Sequence, residues 1–340
     1  MELQQRKEIL VRWGAAIKEV DPEKREDIAW RAAGQNAWFT PQSIGKALEG
    51  VCHYLEAAQL DVWLEHYAIA TIQAKQVGLV LAGNIPMVGF HDLLCVLVSG
   101  HKALVKLSSQ DKVLLPWLVN DLLRPINEEM ADQVAFVERL EGMDAVIATG
   151  SDNSSRYFDY YFGKYPHIIR RNRSSVAVID GKESETDFLA LGHDILDYFG
   201  LGCRNVSKLM VPEGYDFRPM LDALMAYEGI IHHHKFSNNY DYHKSIYLVN
   251  KEPHLDTGFL LLRQSEEIVS PISTVFYEHY TDTAALSEKL KMQEDKIQVI
   301  TSRDAWFDGS LPFGESQLPH VWDYADGVDT LAFLSELHKA

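Results

Sequence analysis

From Val77 onward, short apolar runs alternate with helix-length segments, and this alternation limits the fold more than any other feature. The runs are Val77-Gly78-Leu79-Val80-Leu81-Ala82, Ala103-Leu104-Val105-Lys106-Leu107 and Asp144-Ala145-Val146-Ile147-Ala148. Each has the length of a strand and few polar residues, as expected of strands covered on both faces. Strand, helix, strand, helix implies a parallel sheet of the kind that binds nucleotides at its carboxyl edge. A second block continues the alternation, with strands expected at 175–179 and 207–211 and helices at 185–199 and 218–230. Further strands are expected at 244–249, 259–263, 274–280 and 298–301, with a helix at 283–292. Ahead of the first strand, Leu3, Ile9, Leu10, Trp13 and Ile17 recur at helical spacing, and similar stripes run from Val51 to Ala70.

Composition narrows the function classes. A chain of 340 residues that is 46% hydrophobic buries a large core and divides into two domains, which excludes disordered and disulfide-scaffold classes. The net charge of -17 repels nucleic acid and anionic membranes on average, so neither is an expected partner. Gly83-Asn84-Ile85-Pro86 breaks the longest apolar stretch, and His91 and Asp92 lie within it, which makes membrane insertion unexpected. Three cysteines cannot all pair, and no basic start precedes an apolar leader, so the expected setting is cytoplasmic and reducing.

Cys203 follows Phe199-Gly200-Leu201-Gly202, where a helix should end and a strand begin. Glycines there leave the thiol uncovered, and Arg204 adds positive charge beside it, as a reactive thiolate requires. The alternative is an ordinary buried cysteine, which is the expectation for Cys95 in Leu93-Leu94-Cys95-Val96-Leu97 and for Cys52 on a helical stripe. Asn84, after the first strand, either offers its amide to a developing oxyanion or caps the next helix. Thr149-Gly150-Ser151 ends the third strand and either presents N–H groups to a pyrophosphate or makes a plain turn. Arg170, Arg171 and Arg173 form either a phosphate clamp or a set of ion pairs. The run His232-His233-His234 does not converge on one ion, so no metal is expected. Tyr157, Phe158, Tyr160, Tyr161 and Phe162 suit core packing or a subunit contact.

Taken in order, Gly83-Asn84-Ile85-Pro86, Val105-Lys106-Leu107-Ser108, Thr149-Gly150-Ser151, Gly202-Cys203, Glu266-Glu267-Ile268-Val269-Ser270-Pro271-Ile272 and Leu311-Pro312-Phe313-Gly314 resemble the aldehyde dehydrogenase superfamily. Within it, the tail Pro312-Phe313-Gly314, Pro319 and Asp323 to Thr330 is similar to the LuxC-like acyl-CoA reductases. The resemblance implies an α/β, aldehyde-dehydrogenase-like fold of two α/β domains, a Rossmann-like cofactor domain and a catalytic thiol domain, with a helical N-terminal segment. The expected division is 1–173 for the helical segment and nucleotide-binding domain, 174–301 for the catalytic domain, and 302–340 for a tail returning to the domain interface.

The resemblance further implies Cys203 as nucleophile, with Asn84 and the Cys203 N–H as oxyanion donors. Lys106 and Ser108 would face the adenosine ribose of NADPH or NADH, Gly150 and Ser151 the pyrophosphate, and Glu267 the nicotinamide ribose beside Phe313. Two departures bear on the reaction. Where hydrolytic members of the superfamily carry Glu-Leu-Gly-Gly-Lys, this chain reads Arg170-Arg171-Asn172-Arg173-Ser174-Ser175, so the carboxylate that activates water is missing. Val269 and Ser270 replace a Phe and a Gly of the superfamily pattern, which implies an altered nicotinamide pocket.

The expected function is NAD(P)H-dependent reduction of an acyl-CoA, a fatty acyl thioester, to the aldehyde through a cysteine acyl-enzyme. The alternatives are aldehyde oxidation or acyl-phosphate reduction on the same thiol, or a non-catalytic cofactor-binding subunit of an acyl-transfer complex. A homo-oligomer, with an acyl-activating or acyl-transfer protein as a further partner, completes the expectation.

Overall fold

The computed structural model describes every residue except 68, 70–72, 151 and 338–340, together with the side chains of 152–156 excepted. The chain divides into two compact units: Met1–Arg171 with Pro319–Ala340, and Asn172–Leu318.

The first unit opens with four helices, α1 (Leu3–Lys18), α2 (Pro22–Gln35), α3 (Pro41–Tyr54) and α4 (Ala57–Glu65). Local chemistry fixes their starts: Asp21 and Thr40 accept the N–H groups of Glu23 and Ser43, and each is followed by a proline at the first helical position. The sheet then follows as β1 (Gln76–Val80), α5 (Phe90–Ser99), β2 (Lys102–Lys106), α6 (Leu114–Trp117), a π-helical turn at Leu118–Leu123, α7 (Glu128–Ala131), β3 (Val134–Phe136), β4 (Ala145–Thr149), α8 (Asp152–Phe162) and β5 (His167–Arg170). Its five strands are parallel in the order β3-β2-β1-β4-β5. Trp13 anchors α1 in the core, where its ring meets Phe90 at 5.3 Å and its Nε1 donates to the Leu118 carbonyl at 3.0 Å.

The second unit runs β6 (Ser174–Val178), α9 (Glu185–Leu196), β7 (Val206–Pro212), α10 (Arg218–Leu224), a 3-10 turn at Met225–His232, α11 (His234–Asn250), β8 (His254–Asp256), β9 (Leu261–Gln264), β10 (Thr274–Tyr280), α12 (Thr283–Lys291), β11 (Ile297–Ser302) and β12 (Leu311–Pro312). Its order is β12-β11-β6-β7-β10-β9-β8, parallel except for β8. The chain then returns to the first unit, where α13 (Thr330–Glu336) buries Leu331 and Leu334.

Three expectations need correction. Residues 244–249, expected as a strand, are the last turns of α11: Lys244 reaches back one turn to the Tyr240 hydroxyl at 2.9 Å, and Tyr240 and Tyr247 share the buried side. Their aromatic and branched residues mimic strand alternation because one face packs inward while Leu248 and Val249 remain exposed. The helix expected over 185–199 stops at Leu196, since Tyr198 and Phe199 take left-handed backbone angles. The helix expected over 218–230 tightens into 3-10 geometry after Leu224. Strands β3 and β5, three and four residues long, have no counterpart in the expectation because so short a run carries no period. Along α8, Tyr157, Tyr160 and Tyr161 are exposed, whereas Phe158 and Phe162 pack toward Met143, Val146 and Ala148.

Candidate active site

In the first unit, the candidate residues gather at the carboxyl edge of the parallel sheet. Val80 at the end of β1 pairs with Lys106 on one side and Ala148 on the other, so the turns after β1, β2 and β4 emerge side by side. The carboxyl edge of a parallel sheet is where α/β folds receive ligands. Asn84 is half-buried in the turn after β1, Ser108 and Gly150 are half-buried, and Lys106 is exposed; Ser151 lies outside the described residues. Ser108 Oγ accepts the Gln110 N–H at 3.2 Å and sits so close to Gly83 that a Cβ there would lie 2.6 Å from it. The turns after β1 and β2 therefore close on one another only because position 83 has no side chain.

Two buried residues that sequence reasoning missed hold the Asn84 turn. Asn36 donates from Nδ2 to the Gly83 carbonyl at 3.1 Å. Asp111 accepts the Met87 N–H at 3.2 Å through one carboxylate oxygen and the Leu114 N–H at 3.3 Å through the other. Met87 has φ of 56°, a conformation costly for a side-chain-bearing residue, and the Asp111 bond helps to offset that cost. Burial raises the Asp111 pKa above the usual carboxylate value while its backbone donors pull it down.

In the second unit, Cys203 occupies the turn between α9 and β7 and is half-buried, whereas Cys52 and Cys95 are buried; burial pushes the Cys95 thiol well above its ordinary pKa. Tyr198, Phe199 and Gly200 have φ of 53°, 60° and 75° in succession, an arrangement that costs about 1–2 kcal/mol at each non-glycine position. Compensating bonds surround it. Asn205, almost fully buried, accepts the Gly202 N–H at 2.8 Å and donates to the carbonyls of Asp194 at 3.1 Å and Asp197 at 2.7 Å. Ser175 Oγ on β6 donates to the Cys203 carbonyl at 3.1 Å. His233, within the discounted histidine run, accepts the Phe236 N–H at 3.4 Å and lays its ring against Phe199 at 4.3 Å. Among the described residues, no group of three or more metal-ligating side chains is arranged around an ion.

The segment carrying Glu267 is tied to the same strand as the thiol turn. Ser207 Oγ on β7 donates to the Ile268 carbonyl at 2.7 Å, and fully buried Lys208 donates to the Ser265 carbonyl and to Glu278 Oε2. Glu267 itself is exposed, and its N–H donates to Ser265 Oγ at 3.2 Å. Val269 is also exposed, while Ser270 closes the turn by donating to the Thr274 carbonyl at 2.5 Å. Phe313 is buried, in a loop fastened to α9 through Asp194.

The arginine cluster is engaged in internal bonds. Arg170, 4% exposed, pairs through Nη2 with Asp92 at 2.7 Å and donates to the Thr330 hydroxyl at 2.8 Å and, through Nη1, to the Ala325 carbonyl at 2.7 Å. Arg173 donates to the carbonyls of Glu294 and Ile297 at 3.0 and 3.2 Å. Arg171 is mostly exposed, with Asp159 at 3.9 Å. A guanidinium spent on Asp92 and Thr330 is not available to a phosphate, so the ion-pair alternative accounts for Arg170.

A family model described as "Acyl-CoA reductase (LuxC)" matches residues 16–225. The chain belongs to the LuxC acyl-CoA reductase family. The segment shared with LuxC contains Asn84, Lys106, Ser108, Gly150 and Cys203, and stops short of Glu267 and Phe313. Among curated LuxC-like proteins, the chain is 23% identical over 214 residues to long-chain acyl-protein thioester reductase 2 of Photobacterium leiognathi, covering 57% of this chain and 44% of that one. It is 26% identical over 162 residues to long-chain acyl-protein thioester reductase of Aliivibrio fischeri, covering 42% and 34%. The matches thus span less than half the length of these curated relatives. The LuxC chain also shares the aldehyde dehydrogenase fold: aldehyde dehydrogenase 21 from Physcomitrella patens superposes with a TM-score of 0.68 at 13% identity over 99% of this chain and 85% of that one. The NAD+ complex of aldehyde dehydrogenase from Bacillus cereus gives 0.62 at 16% identity over 89% and 72%. Among the described residues, no helix of this LuxC-family chain is long and apolar enough to cross a membrane.

Proposed function

We propose that this chain reduces an acyl thioester to an aldehyde through a thioester on Cys203, with NADPH or NADH as reductant. The observation that carries the proposal is the thiol turn: in a LuxC-family chain, the half-buried cysteine follows a left-handed segment at 198–200 in a hydrogen-bonded turn just before β7, and the other two cysteines are buried. A cytoplasmic setting keeps such a thiol reduced.

Cys203 Sγ attacks the acyl carbonyl carbon, and the carbonyl electron pair moves onto oxygen. The Cys203 N–H and the Asn84 side-chain amide are the proposed donors to this oxyanion. Its collapse expels the coenzyme A thiolate and leaves the acyl group on Cys203. The chemistry of the donor set fits a dinucleotide: an ammonium at Lys106, a hydroxyl at Ser108 and the Gly150 backbone at the strand ends, with Ser151 assigned to the pyrophosphate by sequence alone and Glu267 and Phe313 to the nicotinamide end. A reduced nicotinamide, when bound, supplies the hydride for the acyl carbon. The resulting thiohemiacetal on Cys203 collapses to the aldehyde and returns the thiolate. Arg170 is held by Asp92 and Thr330 in the stretch where hydrolytic relatives place their water-activating carboxylate, which favours reduction over loss of the acyl-enzyme to water.

The acyl donor is a thioester of coenzyme A or of a partner protein that hands over the same acyl group, and the working form is a homo-oligomer. The test is loss of reduced-nicotinamide absorbance when the purified protein meets a panel of acyl-CoAs, alongside intact-mass detection of the acyl-enzyme and a Cys203→Ala control. Turnover and a mass gain that both vanish in the control are expected. Turnover with acyl phosphates alone, or no acylation at all, would replace the proposal with acyl-phosphate reduction or with a non-catalytic role.

A further inference from the structure

Asp194 lies in the last turn of α9 with no solvent exposure. Its Oδ1 accepts the Ser316 hydroxyl at 2.6 Å and the Ser316 N–H at 3.2 Å, and its Oδ2 accepts the Gly314 N–H at 2.9 Å. The same residue's carbonyl accepts Asn205 Nδ2, and the Asn205 oxygen holds the Gly202 N–H next to Cys203. One helical turn thus grips the Phe313 loop through a side chain and the thiol turn through its backbone. Gly314 has φ of 85°, and a Cβ there would lie 3.2 Å from Ala190 Cβ, so the loop rests flush on α9. Arg204 adds a bond from Nη1 to the Ser316 carbonyl at 3.5 Å.

Burying a carboxylate is an expensive way to fasten a loop, because apolar contact of the same volume holds as well without desolvation. What the carboxylate adds is direction: three donors aimed at two oxygens set the backbone of Gly314 and Ser316, and with it the placement of Phe313. We infer that Asp194 is a positioning residue for the reduction step: it keeps the Phe313 loop in register with the thiol turn, so that its loss weakens the hold on reduced nicotinamide while acyl transfer to Cys203 continues. The inference rests on the acyl-reductase function proposed above.

Asp194→Asn and Ser316→Ala separate the two half-reactions. Acyl-enzyme formation is followed by intact mass with acyl-CoA and no nicotinamide, and NADPH binding by the change in its fluorescence on the protein. Both variants are expected to acylate at the wild-type rate, with the NADPH dissociation constant raised about tenfold in D194N and about threefold in S316A. The KM for acyl-CoA stays unchanged while that for NADPH rises in parallel. Wild-type NADPH binding in S316A and in folded D194N overturns the inference, as does a fall in acylation matching the fall in NADPH binding. Should D194N fail to fold, S316A decides alone, since it keeps both backbone N–H bonds to the carboxylate. Failure of the underlying proposal looks different: the wild-type protein itself gains no acyl mass and binds no NADPH.

Discussion

The Asn205 side chain accepts the Gly202 N–H at 2.8 Å and returns its own amide hydrogens to the carbonyls at the end of α9, the nearest being Asp197 at 2.7 Å. Asn205→Ala strands these buried groups and should destabilise the protein by about 3 kcal/mol. Urea unfolding measures the loss, and the rate of Cys203 alkylation should change with it because the thiol turn loses its brace.

Cysteine accessibility gives a second expectation. Under native conditions iodoacetamide should add one group per chain, at Cys203, because Cys52 and Cys95 are buried and burial raises both their pKa values. Peptide mapping checks the site, and Cys203→Ala should abolish the adduct until denaturant is added.

Asn84→Ala should lower turnover about a hundredfold if its amide faces the oxyanion, with acyl-enzyme formation slowed in the same proportion. Stopped-flow acylation measures the effect; the N-cap of α5 is Gly89, so the expectation that Asn84 caps the next helix does not hold and the unfolding midpoint should carry no capping loss.

Arg170 and Asp92 form a buried ion pair, 4% and 6% exposed. Arg170→Ala leaves the Asp92 carboxylate buried alone and should cost about 3–5 kcal/mol in unfolding free energy, whereas the double change Arg170→Met with Asp92→Leu should recover much of it. Because Arg170 also holds Ala325 and Thr330, hydrogen exchange along 325–336 should accelerate in R170A.

Stability should also depend on Asp194. Burial pushes its pKa up to about 6 from an ordinary value of 3.8, against the pull of Ser316 and Gly314. The folded state therefore holds a proton that the unfolded state has released between these values. The stability this contributes is complete below 3.8 and is lost as pH rises through about 6. Between about pH 7 and about pH 4 the wild type should gain roughly 2 kcal/mol relative to D194N, read from paired urea titrations.

The parallel sheets were legible because their strands are apolar on both faces, a pattern no surface helix carries. Residues 244–249 misled because Tyr247 is buried beside exposed Leu248 and Val249, an inside-outside sequence that fits either period over so few residues. Cys203 and Asn84 stood out through their neighbours in sequence. Asp194, Asn205, Asp111 and Asn36 did not, because each acts on backbone groups that folding brings to it: Asp194 bonds a residue 122 positions away. Arg170 was legible as charge and opaque as structure, since its partners at 92 and 330 lie on distant segments.

The second unit is inserted within the first, whose helix α13 follows the insertion in sequence. Arg170 must wait for Thr330, 160 positions later, before its bonds are complete. At ribosomal speeds that delay is on the order of ten to thirty seconds. Throughout that time Asp92 and the apolar wall that Leu331 and Leu334 will cover stand open on the nascent chain. The host unit closes only after the inserted one has been made, so residues 330–336 decide when its apolar wall is safe from its neighbours in a crowded cell.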